Sequence, residues 1–145
     1  MIRIAICDDE QPFREVVKKY VKKYLSEKEI SYEIDTFSSG KEFLELGIEM
    51  IRYNIVFLDI KMDEIDGIVT AQKIRESSSE VYIVFVTAYI DYSLEGYKVN
   101  AERYILKDNT NFEDSIYECM ESIFHKVNYV DLKKCFKDCR YVWIV

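Results

Sequence analysis

Four short runs of apolar residues constrain this chain more than anything else in it. Ile2–Cys7, Ile55–Leu58 and Val81–Val86 are continuous rather than alternating, and Tyr104–Leu106 is a shorter run of the same kind. A strand apolar on both faces has to be covered on both faces, as in a parallel sheet between two layers of helix. Ser31–Phe37 is the exception. Tyr32, Ile34 and Thr36 alternate there with Ser31, Glu33 and Asp35, so this strand has a wetter face and suits an edge of the sheet.

Helical stripes fill the intervals. Phe13, Val16, Val17, Tyr20, Val21, Tyr24 and Leu25 recur at helical spacing, with Lys18, Lys19, Lys22 and Lys23 on the other side. Pro12 sits near the start, where a missing N–H costs nothing. Ser38 or Ser39 is placed to cap a helix through Phe43, Leu44 and Ile48. Ile68, Ala71 and Ile74 mark a third helix, and Asp91 is placed to cap a short fourth. Thr110 or Asn111 precedes a fifth, with the stripe Phe112, Ile116, Cys119, Met120 and Ile123. A β-α unit therefore repeats five times, and right-handed crossovers put helices on both faces of the sheet. The expected fold is α/β, a doubly wound (βα)5 flavodoxin-like parallel sheet with strand order 2-1-3-4-5.

Charge narrows the function. The net charge of −7 is uneven: residues 126–145 carry five Lys/Arg against two Asp, which leaves −10 on the rest. A body this acidic repels nucleic-acid phosphates. Met1 leads straight into Ile-Arg-Ile-Ala-Ile, so no leader is expected, and no apolar run approaches the ~18 residues of a membrane span. The four cysteines show no secreted-framework spacing, which makes a reducing cytoplasm the expected compartment. Cys135 and Cys139 lie four apart, but with Cys119 and His125 they match no standard zinc module, so free thiols are expected.

In parallel sheets of this kind, sites form beyond the carboxyl ends of the strands. That rule selects Asp8 and Asp9, Asp59, Thr87 and Lys107. Carboxylates brought together repel one another and take up protons or a cation. Their ligands are hard oxygens with no His or Cys among them, which suits Mg²⁺. Lys107 offers a compact positive charge and Thr87 a hydroxyl donor. A carboxylate can attack a phosphoryl group and hold it as an acyl phosphate, and Asp59, ending the central strand, is the best nucleophile.

The motifs ICDDE at 6–10, IVFLDIKMDEIDG at 55–67, VFVTAY at 84–89 and YILK at 104–107 resemble the receiver domain of two-component response regulators. The resemblance covers residues 1–126 and leaves 127–145 as a C-terminal extension. It implies that Asp59 accepts a phosphoryl group from a sensor histidine kinase. It further implies that Asp8, Asp9, Asp59 and the backbone carbonyl of Lys61 bind Mg²⁺, and that Thr87 and Lys107 engage the phosphoryl oxygens. Tyr104 is then the aromatic that turns inward as Thr87 moves toward phosphate. The implied output is a switch of the face made by the fourth helix, fifth strand and fifth helix, which is also a possible homodimer surface. The domain would be a phosphoacceptor and not an enzyme, with only self-phosphorylation and self-dephosphorylation chemistry.

The segment VTAYIDYSLEGYKVNAERYILK at 86–107 is similar to receivers of the LytTR type, whose DNA contacts are made by a further domain of roughly 100 residues that this chain lacks. Two positions depart from the family. Asp63 and Asp108 stand where Pro often follows Met62 and Lys107. Without that Pro, Lys107 has to be aimed differently or its loop is looser, since a cis Lys-Asp bond would cost on the order of 3 kcal/mol. Lys61 and Tyr89 occupy the positions that the resemblance links to phosphate lifetime. Tyr92, Tyr97 and Val99 are candidates for an exposed apolar face. The alternatives are a receiver-like adaptor that ignores phosphate and, less favoured, an Asp-nucleophile phosphatase. The second usually needs an acid two residues after the nucleophile, where this chain has Lys61.

Overall fold

Each apolar run becomes a strand. In the computed structural model, which describes residues 1–89 and 93–138, the strands are β1 (Ile2–Cys7), β2 (Tyr32–Phe37), β3 (Ile55–Leu58), β4 (Tyr82–Thr87) and β5 (Arg103–Leu106). All are parallel, in the order β2-β1-β3-β4-β5 expected from the sequence. The alternating strand β2 lies at one edge. Around the sheet run α1 (Gln11–Glu27), α2 (Gly40–Leu44), α3 (Gly67–Ser77), α4 (Ser93–Lys98) and α5 (Phe112–Asp138). Asp91, Tyr92, Cys139, Arg140 and residues 141–145 lie outside the described residues, as do the side chains of Lys133, Lys134, Cys135 and Lys137.

The continuous runs are explained by two cores. Ile4, Ile6, Phe57, Val84 and Val86 face α1 and α5, where they meet Val17, Val21, Leu25, Ile116, Met120 and Ile123. Their strand neighbours Ala5, Cys7, Val56, Leu58, Ile83 and Phe85 point the other way, onto Phe43, Ile68, Ala71 and Ile74. Successive side chains of a strand face opposite sides, so a strand between two cores is apolar at every position.

Two details differ from expectation. The second helix stops at Leu44, and a 3-10 helix (Gly47–Arg52) follows. Gly47 adopts φ +60°, a left-handed conformation that ends the helical path, so Ile48 projects outward and is 69% exposed. Of the candidates for an exposed apolar face, Val99, just after α4, is buried, whereas Tyr97 is exposed, as is Leu94. The capping expectations fared well at Ser39, whose Oγ accepts from the Glu42 amide at 3.0 Å. Helix α5 starts directly after Asn111 and runs through 126/127 without a break. Among the described residues no helix is long and apolar enough to cross a membrane.

Candidate functional site

The strands end level, and that brings the acids together. Cys7 is opposite Leu58 and Leu58 opposite Phe85. Just beyond, the pairing continues: the Asp59 amide donates to the Cys7 carbonyl at 3.0 Å, Asp8 to Phe37 at 3.1 Å, and Lys107 to Thr87 at 2.8 Å. Asp8, Asp59, Thr87 and Lys107 thus leave the sheet on one rim.

Lys107 is the centre of the arrangement. Its Nζ lies 2.9 Å from Asp8 Oδ2 and 2.9 Å from Asp59 Oδ2, with Glu10 Oε1 at 3.5 Å. Asp8, Asp59 and the Lys107 side chain are all buried. The other oxygens of the two aspartates are held by backbone: the Glu10 amide donates to Asp8 Oδ1 at 2.9 Å and the Ile60 amide to Asp59 Oδ1 at 2.7 Å. Among the described residues no peptide bond is cis, so Lys107–Asp108 is trans, and Lys107 is nonetheless aimed at Asp59. The departure from the family at Asp108 leaves the lysine's reach intact.

Burial pushes Asp8 up to about 6, against the pull of the Glu10 amide and Lys107, and the charge of Asp59 adds to the rise. Asp9 is exposed, yet partial desolvation and the nearby charges of Asp59, Asp63 and Glu10 raise it as well. For Lys107, burial works against the charged form, but hydrogen bonds and Coulomb attraction from Asp59 and Asp8 outweigh it and hold the ammonium above its ordinary value. Carboxylate oxygens of Asp8, Asp9, Glu10 and Asp59 all lie within 4.8 Å of one another. An all-oxygen set of this kind fits a hard divalent cation such as Mg²⁺.

Thr87 and Tyr104 converge on one residue. Thr87 is fully buried at the end of β4, and its Oγ accepts from the Tyr89 amide at 3.4 Å. Tyr104, half-buried with its ring 6.1 Å from that of Phe85, donates its hydroxyl to the Tyr89 carbonyl. Both ends of the Tyr89 backbone are therefore tied to the expected switch pair. The Tyr89 side chain is 45% exposed, with the Lys61 ammonium 5.5 Å from its ring centroid.

Several residues that build the site went unread in the sequence. Glu10 joins the acidic set, although its place beside Asp8-Asp9 was a signal for it. Arg14 Nη1 donates to the Asp8 carbonyl at 2.6 Å. Gly67 opens α3 against the backbone of Asp59: its amide donates to Ile60 O at 2.7 Å, and a Cβ there would sit 2.0 Å from Asp59 O. Asp66 caps that helix, accepting from Val69 at 2.9 Å. The Asp66-Gly67 pair was the only sequence sign of this turn.

The response regulator receiver domain family matches residues 4–116. This chain belongs to that family. The receiver is 35% identical to the sensory transduction protein LytT of Bacillus cereus over 107 residues, covering 74% of this chain and 42% of LytT. It is 30% identical to the transcriptional regulatory protein YpdB of Escherichia coli over 106 residues, covering 73% and 41%. The likeness to LytT agrees with the LytTR-type resemblance of segment 86–107. Among solved structures, the response regulator TrrA of Thermotoga maritima in complex with Mg²⁺-BeF superposes with a TM-score of 0.68 at 31% identity, covering 85% of this chain and 99% of that one. The receiver spans about two fifths of the length of these curated relatives.

Proposed function

We propose that Asp59 is the phosphoacceptor of this receiver and that a sensor histidine kinase is the donor. One observation carries the reading: a buried ammonium, Lys107, bridges Asp8 and Asp59 at 2.9 Å each inside a four-carboxylate cluster. Asp59 Oδ2 attacks phosphorus, the bond from phosphorus to the donor histidine nitrogen breaks, and an acyl phosphate forms. Lys107 redirects an N–H from Asp59 to a phosphoryl oxygen, and the Thr87 hydroxyl donates to another. Asp8, Asp9, Asp59 and the Lys61 carbonyl are the residues that would hold Mg²⁺, which when bound neutralises charge on the phosphoryl oxygens. The Mg²⁺-BeF complex of TrrA supports this reading by likeness.

The switch follows from the Tyr89 clamp. When Thr87 turns its hydroxyl to phosphate it gives up the Tyr89 amide, and Tyr104, tied to the same residue, repositions with it. That alters the face of α4, β5 and α5, which serves as the output and homodimer surface. Residues 127–145 are the extension toward an output domain that acts on transcription by binding DNA, and the protein works in the cytoplasm.

The test is incubation with acetyl phosphate and Mg²⁺. A gain of one phosphoryl group in intact mass, abolished by Asp59→Asn, is expected. No gain in the wild type, or an equal gain in Asp59→Asn, overturns the reading.

A further inference from the structure

The ammonium of Lys107 has a fourth neighbour, and it is not an acid. Nζ lies 4.3 Å from the centroid of the Phe13 ring, inside the ~6 Å range over which the negative face of an aromatic ring attracts a cation. Phe13 arrives from the first turn of α1, and that turn is fixed at several points. The amides of Phe13 and Arg14 both donate to the Glu10 carbonyl at 3.1 Å. Pro12 locks its own φ at the helix start. Arg14 holds the Asp8 carbonyl at 2.6 Å, and the Glu10 amide holds the Asp8 carboxylate at 2.9 Å. One continuous segment, residues 8–14, therefore surrounds the ammonium with two carboxylates and one ring face, while Asp59 approaches from β3.

Lys107 has need of such a cradle. A lysine side chain is flexible and its ammonium strongly hydrated. The residue after it is Asp108, exposed and joined by a trans bond, so no proline ring stiffens the backbone on that side. The direction of the ammonium has to come from what its tip touches. A carboxylate fixes one N–H along one line. A ring face attracts the charge with little regard to which N–H points where, so the ammonium can turn from a carboxylate oxygen to a phosphoryl oxygen without losing the contact.

We propose that Phe13 is the positioning residue for Lys107: its ring face holds the ammonium beside Asp59, keeps water off its outer side, and lets it pivot to the incoming phosphoryl group. Phe13 touches neither the phosphoryl donor nor the nucleophile in this scheme; it acts through the lysine. The kinetic part rests on Asp59 being the phosphoacceptor, and the spectroscopic part does not.

The experiment has two arms on the full chain. In the first, proton NMR of the unphosphorylated protein reads the ε-methylene protons of Lys107, assigned by their loss in Lys107→Arg. They are expected upfield of those of exposed lysines because the ammonium they carry sits 4.3 Å from the ring centroid. The displacement is expected to vanish in Phe13→Leu and return in Phe13→Tyr and Phe13→Trp. In the second arm, the rate of Asp59 phosphorylation by acetyl phosphate with Mg²⁺ falls by about 3- to 10-fold in Phe13→Leu, the size of one partly buried cation–ring contact, and recovers in Phe13→Tyr. Leu fills similar apolar space, so packing alone predicts no such split between Leu and Tyr. An unshifted Lys107 in the wild type, or equal rates for Leu and Tyr variants at equal thermal stability, overturns the proposal. A wild type that takes up no phosphoryl group while Lys107 keeps its ring shift sinks the phosphoacceptor reading and leaves the contact between Phe13 and Lys107 standing.

Discussion

Gly67→Ala sets two physical effects against each other. By intrinsic propensity, Ala is favoured over Gly within a helix by about 0.8–1 kcal/mol, so the substitution at the start of α3 should stabilise. Packing says the opposite. The new Cβ would lie 2.0 Å from Asp59 O, 2.8 Å from Asp59 C and 2.9 Å from Ile60 Cα. All three are backbone atoms, and ordinary contact begins near 3.4 Å, so relief requires α3 or the Asp59 peptide to move by more than ~1 Å. Overpacking of this kind costs about 1–3 kcal/mol, and rigid backbone puts this case at the upper end. The net expectation is a loss of about 2 kcal/mol, or a Tm lower by about 4–8 °C for a chain of this size. Because the atom displaced belongs to Asp59, the rise in Tm on adding Mg²⁺ should shrink as well. Gly47→Ala is the control. It has open space but φ +60°, so it should lose about 1 kcal/mol through backbone strain alone and keep the full response to Mg²⁺. Differential scanning calorimetry with and without Mg²⁺ measures both. A Gly67→Ala protein as stable as wild type, with the same Mg²⁺ response, would show that the reasoning about this contact is wrong.

Lys107→Ala leaves Asp8 and Asp59 buried and facing each other; urea unfolding at pH 7 should show a loss of about 3 kcal/mol, and an unchanged midpoint would contradict the bridging role. Arg75 donates to four carbonyls, those of Val99, Ser78, Val81 and Asn100, and so ties the end of α3 to the turns before β4 and β5; Arg75→Ala should cost about 2–3 kcal/mol, with Arg75→Lys recovering only part. Stability should also decline in alkali. Burial, with the carboxylates of Glu121 and Asp35, raises the phenols of Tyr24 and Tyr53, and burial pushes the Cys119 thiol up to about 12. An acid whose folded value is raised keeps its proton longer when folded, so this contribution is whole below pH 9 and is lost as pH climbs through the folded values. Urea midpoints at pH 8, 10 and 11 should fall in that order, and less steeply in Tyr24→Phe/Tyr53→Phe.

The sheet was legible because its chemistry is redundant. Ile4 and Ile6 are apolar for one core, Ala5 and Cys7 for the other, and only a strand covered twice reads that way. The five site residues were legible for a related reason: parallel strands of a doubly wound sheet end together, so a strand-end acid in one motif is near a strand-end acid in another. What escaped depends on phase and on contact partners. The stripe through Phe43 and Leu44 continues in register to Ile48, and only the left-handed backbone at Gly47 shows that the helix has stopped. Helix α4 has six residues, too few for periodicity to tell which of Leu94, Tyr97 and the following Val99 turns inward. Phe13 was assigned correctly to the apolar stripe of α1, but periodicity names a face without naming what that face meets. At Val17 and Val21 it meets core; one turn earlier it meets an ammonium.

The same site explains why charge and fold are coupled here. Two buried carboxylates within 4.8 Å of each other repel by roughly 3–4 kcal/mol at an effective dielectric near 20, and Asp9 and Glu10 add to the field. Lys107, 2.9 Å from each buried acid, is what lets β1 and β3 bring them together at all. Its charge is smaller than the charge it faces, so the rim stays electronegative and repels anions. A cation held by Asp8, Asp9 and Asp59 would offset that charge and weaken the claim of those acids on Lys107, whose N–H would then be available to an anion. The acids and the lysine are therefore more than a static ligand set. Phosphorylation should depend on Mg²⁺ more steeply in Lys107→Arg, whose planar fork grips two carboxylates at once, than in the wild type. Identical Mg²⁺ dependence of the two proteins would mean that the lysine's release from Asp59 plays no part in the reaction.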